Sequence, residues 1–142
     1  MAMAMACACQ PLTVGTSVSS AGHPAIDPHS CAQAGQVRVV HLDLDLVLDF
    51  ALCHLAGQAT LHLDWLDPTA TVLLVDTRDL DIERVEALVA DGQAQVLDWS
   101  LGTRDEQLGC ALRIEVPQRP ARVRIHYRTS LHASGLQWLT PE

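Results

Sequence analysis

Lysine is absent from this 142-residue chain, and all nine basic residues are arginines. Seventeen acidic residues oppose them, giving a formal net charge of −8. A chain this acidic is repelled by a phosphate backbone and by an anionic membrane surface, so neither is an expected partner. Aromatic residues are scarce, at 4%, which removes the stacking platform that a single-stranded nucleic acid needs. The nearest approach to a basic stripe is Arg119, Arg122, Arg124 and Arg128. Within R-V-R-I-H-Y-R, however, the arginines alternate with Val123, Ile125 and Tyr127. That is the pattern of a strand with one wet face.

Other absences narrow the chemistry. The five cysteines (Cys7, Cys9, Cys31, Cys53 and Cys110) are odd in number and widely spaced, which does not make a disulfide framework. Cys7-Ala8-Cys9 lacks the second ligand pair of a zinc knuckle. The apolar opening M-A-M-A-M-A-C-A-C has nine residues and no basic residue. It is too short to span a bilayer and lacks the charge of a secretory signal, so the cytoplasm is the expected location, with a degenerate secretory leader as the alternative. None of the seven histidines precedes a glutamate, so H-E-x-x-H is missing, as are G-x-S-x-G and a glycine-rich phosphate loop.

What remains does not assemble into a site at the level of sequence. His41, His54 and His62 fall on different strands or turns, with His62 facing solvent beside Asp64. His126 lies among arginines that repel a cation. Asp43 and Asp45 share a strand face, but nothing marks the pocket that acid–base work needs to shift one pKa. The expectation is no catalytic, cofactor-binding or metal-ligating residue, and no stoichiometric zinc.

Apolar residues make up 49% of the chain, enough for one domain with a core. Residues 1–34 read as a flexible leader, rich in small residues and broken by Pro11, Pro24 and Pro28. Regular pattern begins at Val37, so the domain is placed at 35–142. In H-L-D-L-D-L-V-L-D, leucines 42, 44, 46 and 48 share one face and Asp43, Asp45 and Asp49 the other, a half-buried strand. A second alternating run ends at Trp65, and T-V-L-L-V from Thr71 is a third. Leu80–Ala90 fits either a helix with Ile82, Val85 and Val89 as its stripe or a strand with a bulge near Glu83-Arg84, where the apolar parity switches. The strand is favoured because the turn that follows needs one before it. Asp91-Gly92 then supplies a hairpin turn. Ala94–Trp99, Cys110–Val116 and Arg122–Thr129 complete about seven strands. The expected class is all-β and antiparallel-rich. The expected core includes Leu42, Leu44, Leu46, Leu48, Leu61, Leu63, Val123 and Ile125, with Asp43, Asp45, His62, Arg122 and Arg124 exposed.

Three stretches go further: V-L-L-V-D-T-R-D-L-D-I-E-R-V, D-G-Q, and R-T-S-L-H-A-S-G-L-Q-W-L-T-P-E. In this order and spacing they resemble the N-terminal domain of the leukotriene A4 hydrolase family and its bacterial aminopeptidase relatives. These are gluzincin zinc aminopeptidases, a group that includes aminopeptidase N. The resemblance runs from about Asp27 to Glu142. It implies a saddle-like β domain, incomplete at its C-terminus, whose partner is a following metallopeptidase domain with G-G-M-E-N and H-E-x-x-H. Zinc belongs to that domain, and the β domain helps close the substrate cleft. The resemblance also implies that Leu136–Leu139 begin a strand, leaving an unpaired edge near Trp138 through which the chain self-associates, with Trp138 more exposed than Trp65. A self-contained β-sandwich that binds a partner or sugar is the alternative, since seven strands with regular turns fit that architecture too.

Overall fold

Alternation decides the first two elements. β1 (Val37–Asp49) and β2 (His54–Trp65) form a long antiparallel hairpin, closed by a four-residue loop in which Asp49 Oδ1 accepts from the Leu52 amide at 2.9 Å. Cys53 takes the left-handed conformation there, with φ 51°. The computed structural model describes residues 27–89, 92–131, 133 and 135–139. Most of the expected leader lies outside these residues, as does Asp91. Of residues 27–36, Ser30 Oγ and the Cys31 amide donate to the Asp76 carboxylate at 2.6 and 2.7 Å, tying the entry of the chain to the domain.

The remaining strands are β3 (Val72–Thr77), β4 (Leu80–Leu88), β5 (Ala94–Val96), β6 (Trp99–Leu101), β7 (Cys110–Glu115) and β8 (Arg122–Thr129). Every pairing is antiparallel. Five strands form one sheet in the order β1-β2-β8-β4-β5, and three form a second in the order β3-β7-β6. The all-β, antiparallel class expected from the sequence is therefore the observed one. The described residues form eight strands because the Ala94–Trp99 run divides. Ala94–Val96 pairs with β4, the Leu97 amide donates to Val85 O at 2.9 Å, and Trp99 enters the other sheet opposite Ile114.

The core lies between the sheets. Val85, Val123, Leu112, Ile114 and Val116 are fully shielded, with Leu61, Leu63, Leu73, Ala87 and Ile125 around them. The Val-rich and Ile-rich parity of β7 and β8 produces this directly, since inward positions recur every second residue. Trp65 and Trp99 pack at its margin, and Trp65 Nε1 donates to Pro120 O at 2.9 Å. The β4 bulge falls where the apolar parity switches, between Ile82 and Arg84 against β8. Gly92, in the β4–β5 turn, has φ +75° as a hairpin turn requires.

Burial departs from expectation on β1. Leu42, Leu44 and Leu48 are 47%, 57% and 54% exposed, and Leu46 is half-buried. Their face assignment is right, because Leu42 pairs with Leu61 and Leu44 with Ala59, whose side chains point to the core. Among the described residues, only the cover is missing. The second sheet has three strands against five, and β1 lies at the edge of the larger sheet. The expected burial of Leu61, Leu63, Val123 and Ile125 holds, as does the exposure of Asp43, Asp45 and Arg122; His62 and Arg124 are half-buried. Leu136–Leu139 form no strand, a correction to the expected extension, because no strand among the described residues offers them a ladder. Among the described residues, the long unpaired edge of the larger sheet belongs to β1 instead.

Candidate functional site

Both faces of β1 carry features that the core does not use. On the inner side, Leu46, Leu48, Phe50 and Leu55 line an open apolar cavity of about 480 Å³, and Leu136, Trp138 and Leu139 line it from the other end of the chain. Phe50 and Trp138 meet edge to face, with ring centroids 5.9 Å apart and planes at 90°, a favoured aromatic geometry. Phe50 is nonetheless 75% exposed and Leu139 85%. Trp138 is half-buried, as is Trp65, so the expected contrast between the two tryptophans is not evident. Together with Leu42 and Leu44 these residues make a contiguous apolar surface, and such surfaces on soluble domains mark contact sites.

The outer side is polar and cross-linked along the ladder. Arg38 pairs with Asp64 at 2.9 Å, and Gln58 Nε2 donates to Asp45 at 3.1 Å. Between these pairs sits a cluster that sequence reasoning did not assemble. Asp43 Oδ1 lies 3.0 Å from His41 Nε2, and Asp43 Oδ2 lies 2.7 Å from His62 Nε2. The two imidazoles stand edge to face, 5.0 Å apart at 79°. Hydrogen bonding from His62 first, and from His41 next, holds the Asp43 carboxyl below its ordinary range. His62 was expected beside Asp64, but Asp64 is taken by Arg38 and His62 turns to Asp43. The tripeptide H-L-D occurs at 41–43 and again at 62–64. Two copies on consecutive strands of a tight hairpin were the available signal.

A second polar cluster lies across β4 and β8. Glu86 is buried although it faces the outer side, and it accepts from His126 at 2.9 Å and pairs with Arg84 at 3.3 Å. His126 was expected among arginines alone; the β4 register adds this carboxylate beside it. Burying the Glu86 charge is tolerable because both of its oxygens have partners.

The arrangement bears on catalysis in one respect. General acid work needs a carboxyl whose pKa is raised, and Asp43 is shifted the other way. Asp43 and Asp45 are both exposed on the outer face of one strand.

No family model matches the chain. It is similar to leukotriene A-4 hydrolase of Xenopus laevis, with 31% identity over 121 residues, covering 82% of this chain and 19% of that protein. It is also similar to leucine aminopeptidase 2 of Yarrowia lipolytica, with 30% identity over 122 residues, 84% of this chain and 18% of that one. Among solved structures, yeast LTA4 hydrolase in complex with bestatin superimposes with a TM-score of 0.64 at 27% identity, over 86% of this chain and 19% of the enzyme. Native yeast LTA4 hydrolase gives 0.65 at 27% identity, over 84% and 18%. The chain thus spans about a fifth of the length of the relatives it matches. By sequence and by fold together, this chain is similar to the N-terminal part of leukotriene A4 hydrolase and leucine aminopeptidase 2.

Proposed function

We propose that the chain acts as a non-catalytic structural domain of a zinc aminopeptidase, packing on a metallopeptidase domain and helping to close the substrate cleft. The observation that carries this reading is the uncovered apolar face of β1. Leu42, Leu44, Leu48 and Phe50 are all close to half exposed or more, in a strand whose face parity otherwise matches a core position. A strand patterned for burial but lacking cover is what a domain shows when part of its buried surface is supplied by another domain. The role is positional. A rigid sheet edge beside a cleft restricts which substrates reach the metal without contributing a reacting group.

The coding DNA downstream of the Glu142 codon tests this reading. Continuation, in any frame, into G-G-M-E-N and H-E-x-x-H is the expected result, and unrelated sequence in all frames counts against it. The purified chain is expected to release no chromophore from an aminoacyl p-nitroanilide. Turnover abolished by a chelator and restored by zinc would show that this chain is itself an enzyme.

A further inference from the structure

We propose that His41, Asp43 and His62 form a binding site for a divalent transition-metal ion, with zinc the best match to their donors. The three side chains lie on the outer face of β1, opposite the apolar surface assigned to a partner domain. The expectation of no metal rested on His41 and His62 occupying separate strands. The ladder removes that ground, because His41 and His62 are direct partners across β1 and β2.

A bulge makes the site. Before it, Val37 and Val39 oppose Trp65 and Leu63, so odd-numbered residues of β1 point to the core side. Val40 is the extra residue, after which His41 opposes His62 and Asp43 opposes Thr60. From there the odd-numbered residues point outward. Had the ladder run regularly through Val40, with Val40 opposite His62, His41 would oppose Leu61 and face the core side, and the leucines would face solvent. Bulges commonly re-aim a side chain in this way.

The donor geometry fits one ion. One ligand atom from each residue can be chosen so that all three lie within 4.8 Å of one another. Ligands at zinc distances of 2.0–2.2 Å in a tetrahedron lie roughly 3.3 Å apart. The contacts of 3.0 and 2.7 Å between Asp43 and the two Nε2 atoms therefore need only small rotations to admit an ion. The same atoms are now bridged by protons. On metal binding each imidazole presents the Nε2 lone pair, its N–H moving to Nδ1. Two imidazoles and a carboxylate suit zinc and its late first-row neighbours better than calcium or magnesium, which prefer all-oxygen shells. Three protein ligands leave a position for water.

The surroundings are mixed. Asp45 lies on the same face, and the chain carries net charge −8. Arg38 is engaged by Asp64. Arg122 pairs opposite His62 on β8, but it is exposed and its repulsion is screened by solvent and salt. His41 and Asp43 side chains are 62% and 59% exposed, which leaves an entry path for the ion.

Cobalt(II) titration of the full chain, with zinc added in competition, tests the site. One equivalent of cobalt is expected to bind saturably with visible ligand-field bands and no thiolate charge-transfer band in the near ultraviolet. Zinc should displace it. His41→Gln and His62→Gln keep a hydrogen-bonding group toward Asp43 but give up the imidazole, and each is expected to weaken binding at least tenfold. His126→Ala should leave it unchanged. No saturable binding, undiminished affinity in both glutamine variants, or a thiolate band placing the ion on cysteine would each overturn the proposal. In those cases the three residues form a hydrogen-bonded cluster only.

Discussion

Ile114→Ala is expected to lower the unfolding free energy by about 2–5 kcal/mol, while Leu44→Ala changes it by no more than about 0.5 kcal/mol. Both residues are aliphatic, and both sit on inward-facing positions of a strand. Ile114 is fully shielded on β7, the middle strand of the smaller sheet, with Leu73 its partner on β3 and Trp99 on β6. Truncating it removes transfer energy and leaves a cavity that neighbours on three strands cannot all relax into. Leu44 is 57% exposed, with no second sheet above it among the described residues. A buried Leu44 would have cost as much as Ile114, so the pair separates inward-facing from covered. Urea unfolding of the two variants measures both, and a loss of 2 kcal/mol or more for Leu44→Ala would mean that β1 is part of the core.

Gly57→Val is expected to cost about 2–6 kcal/mol, the sum of backbone strain and overpacking. Gly57 has φ +154°, outside the range that side chains readily accept. A Cβ there would also run into the Asp45 carbonyl oxygen and the Leu46 Cα of the adjacent strand. These are backbone atoms that cannot swing aside. The damage should be local, because Gly57 pairs with Leu46 on one side and Tyr127 on the other. Among the described residues β1 has no second neighbour, so it is the strand that lets go. Amide exchange should show β1 deprotected while β4, β7 and β8 keep their protection. Uniform protection with unchanged stability would show that the hairpin can relax around the added side chain.

The sequence was most informative where two signals coincided. The β4 bulge was legible because Leu80 and Ile82 lie on one parity and Val85 and Ala87 on the other, so the switch is written in apolar residues. The β1 bulge was hidden because Val39 and Val40 are both apolar, and a doubled valine reads equally well without an inserted residue. The same blindness kept His41 apart from His62. Alternation assigns each to a strand face, but only the register across a 13-residue strand brings them opposite each other. Burial of the β1 leucines was illegible for a different reason. Period two states which way a side chain points, and it says nothing of whether a second layer reaches that far. Glu86 was illegible as a buried charge because its cover comes from side chains on β4 and β8, joined by register alone.

The uncovered face of β1 can be tested by sedimentation velocity of the chain and of its Leu44→Asp/Leu48→Asp variant across a range of concentrations. An apolar face patterned for another domain, lying along an unpaired sheet edge, offers a template for association in isolation. The wild-type chain is expected to sediment as concentration-dependent oligomers, and the double variant as a folded monomer at every concentration. A wild-type chain that remains monomeric throughout and is indistinguishable from the variant would contradict the assignment of this face as a contact surface.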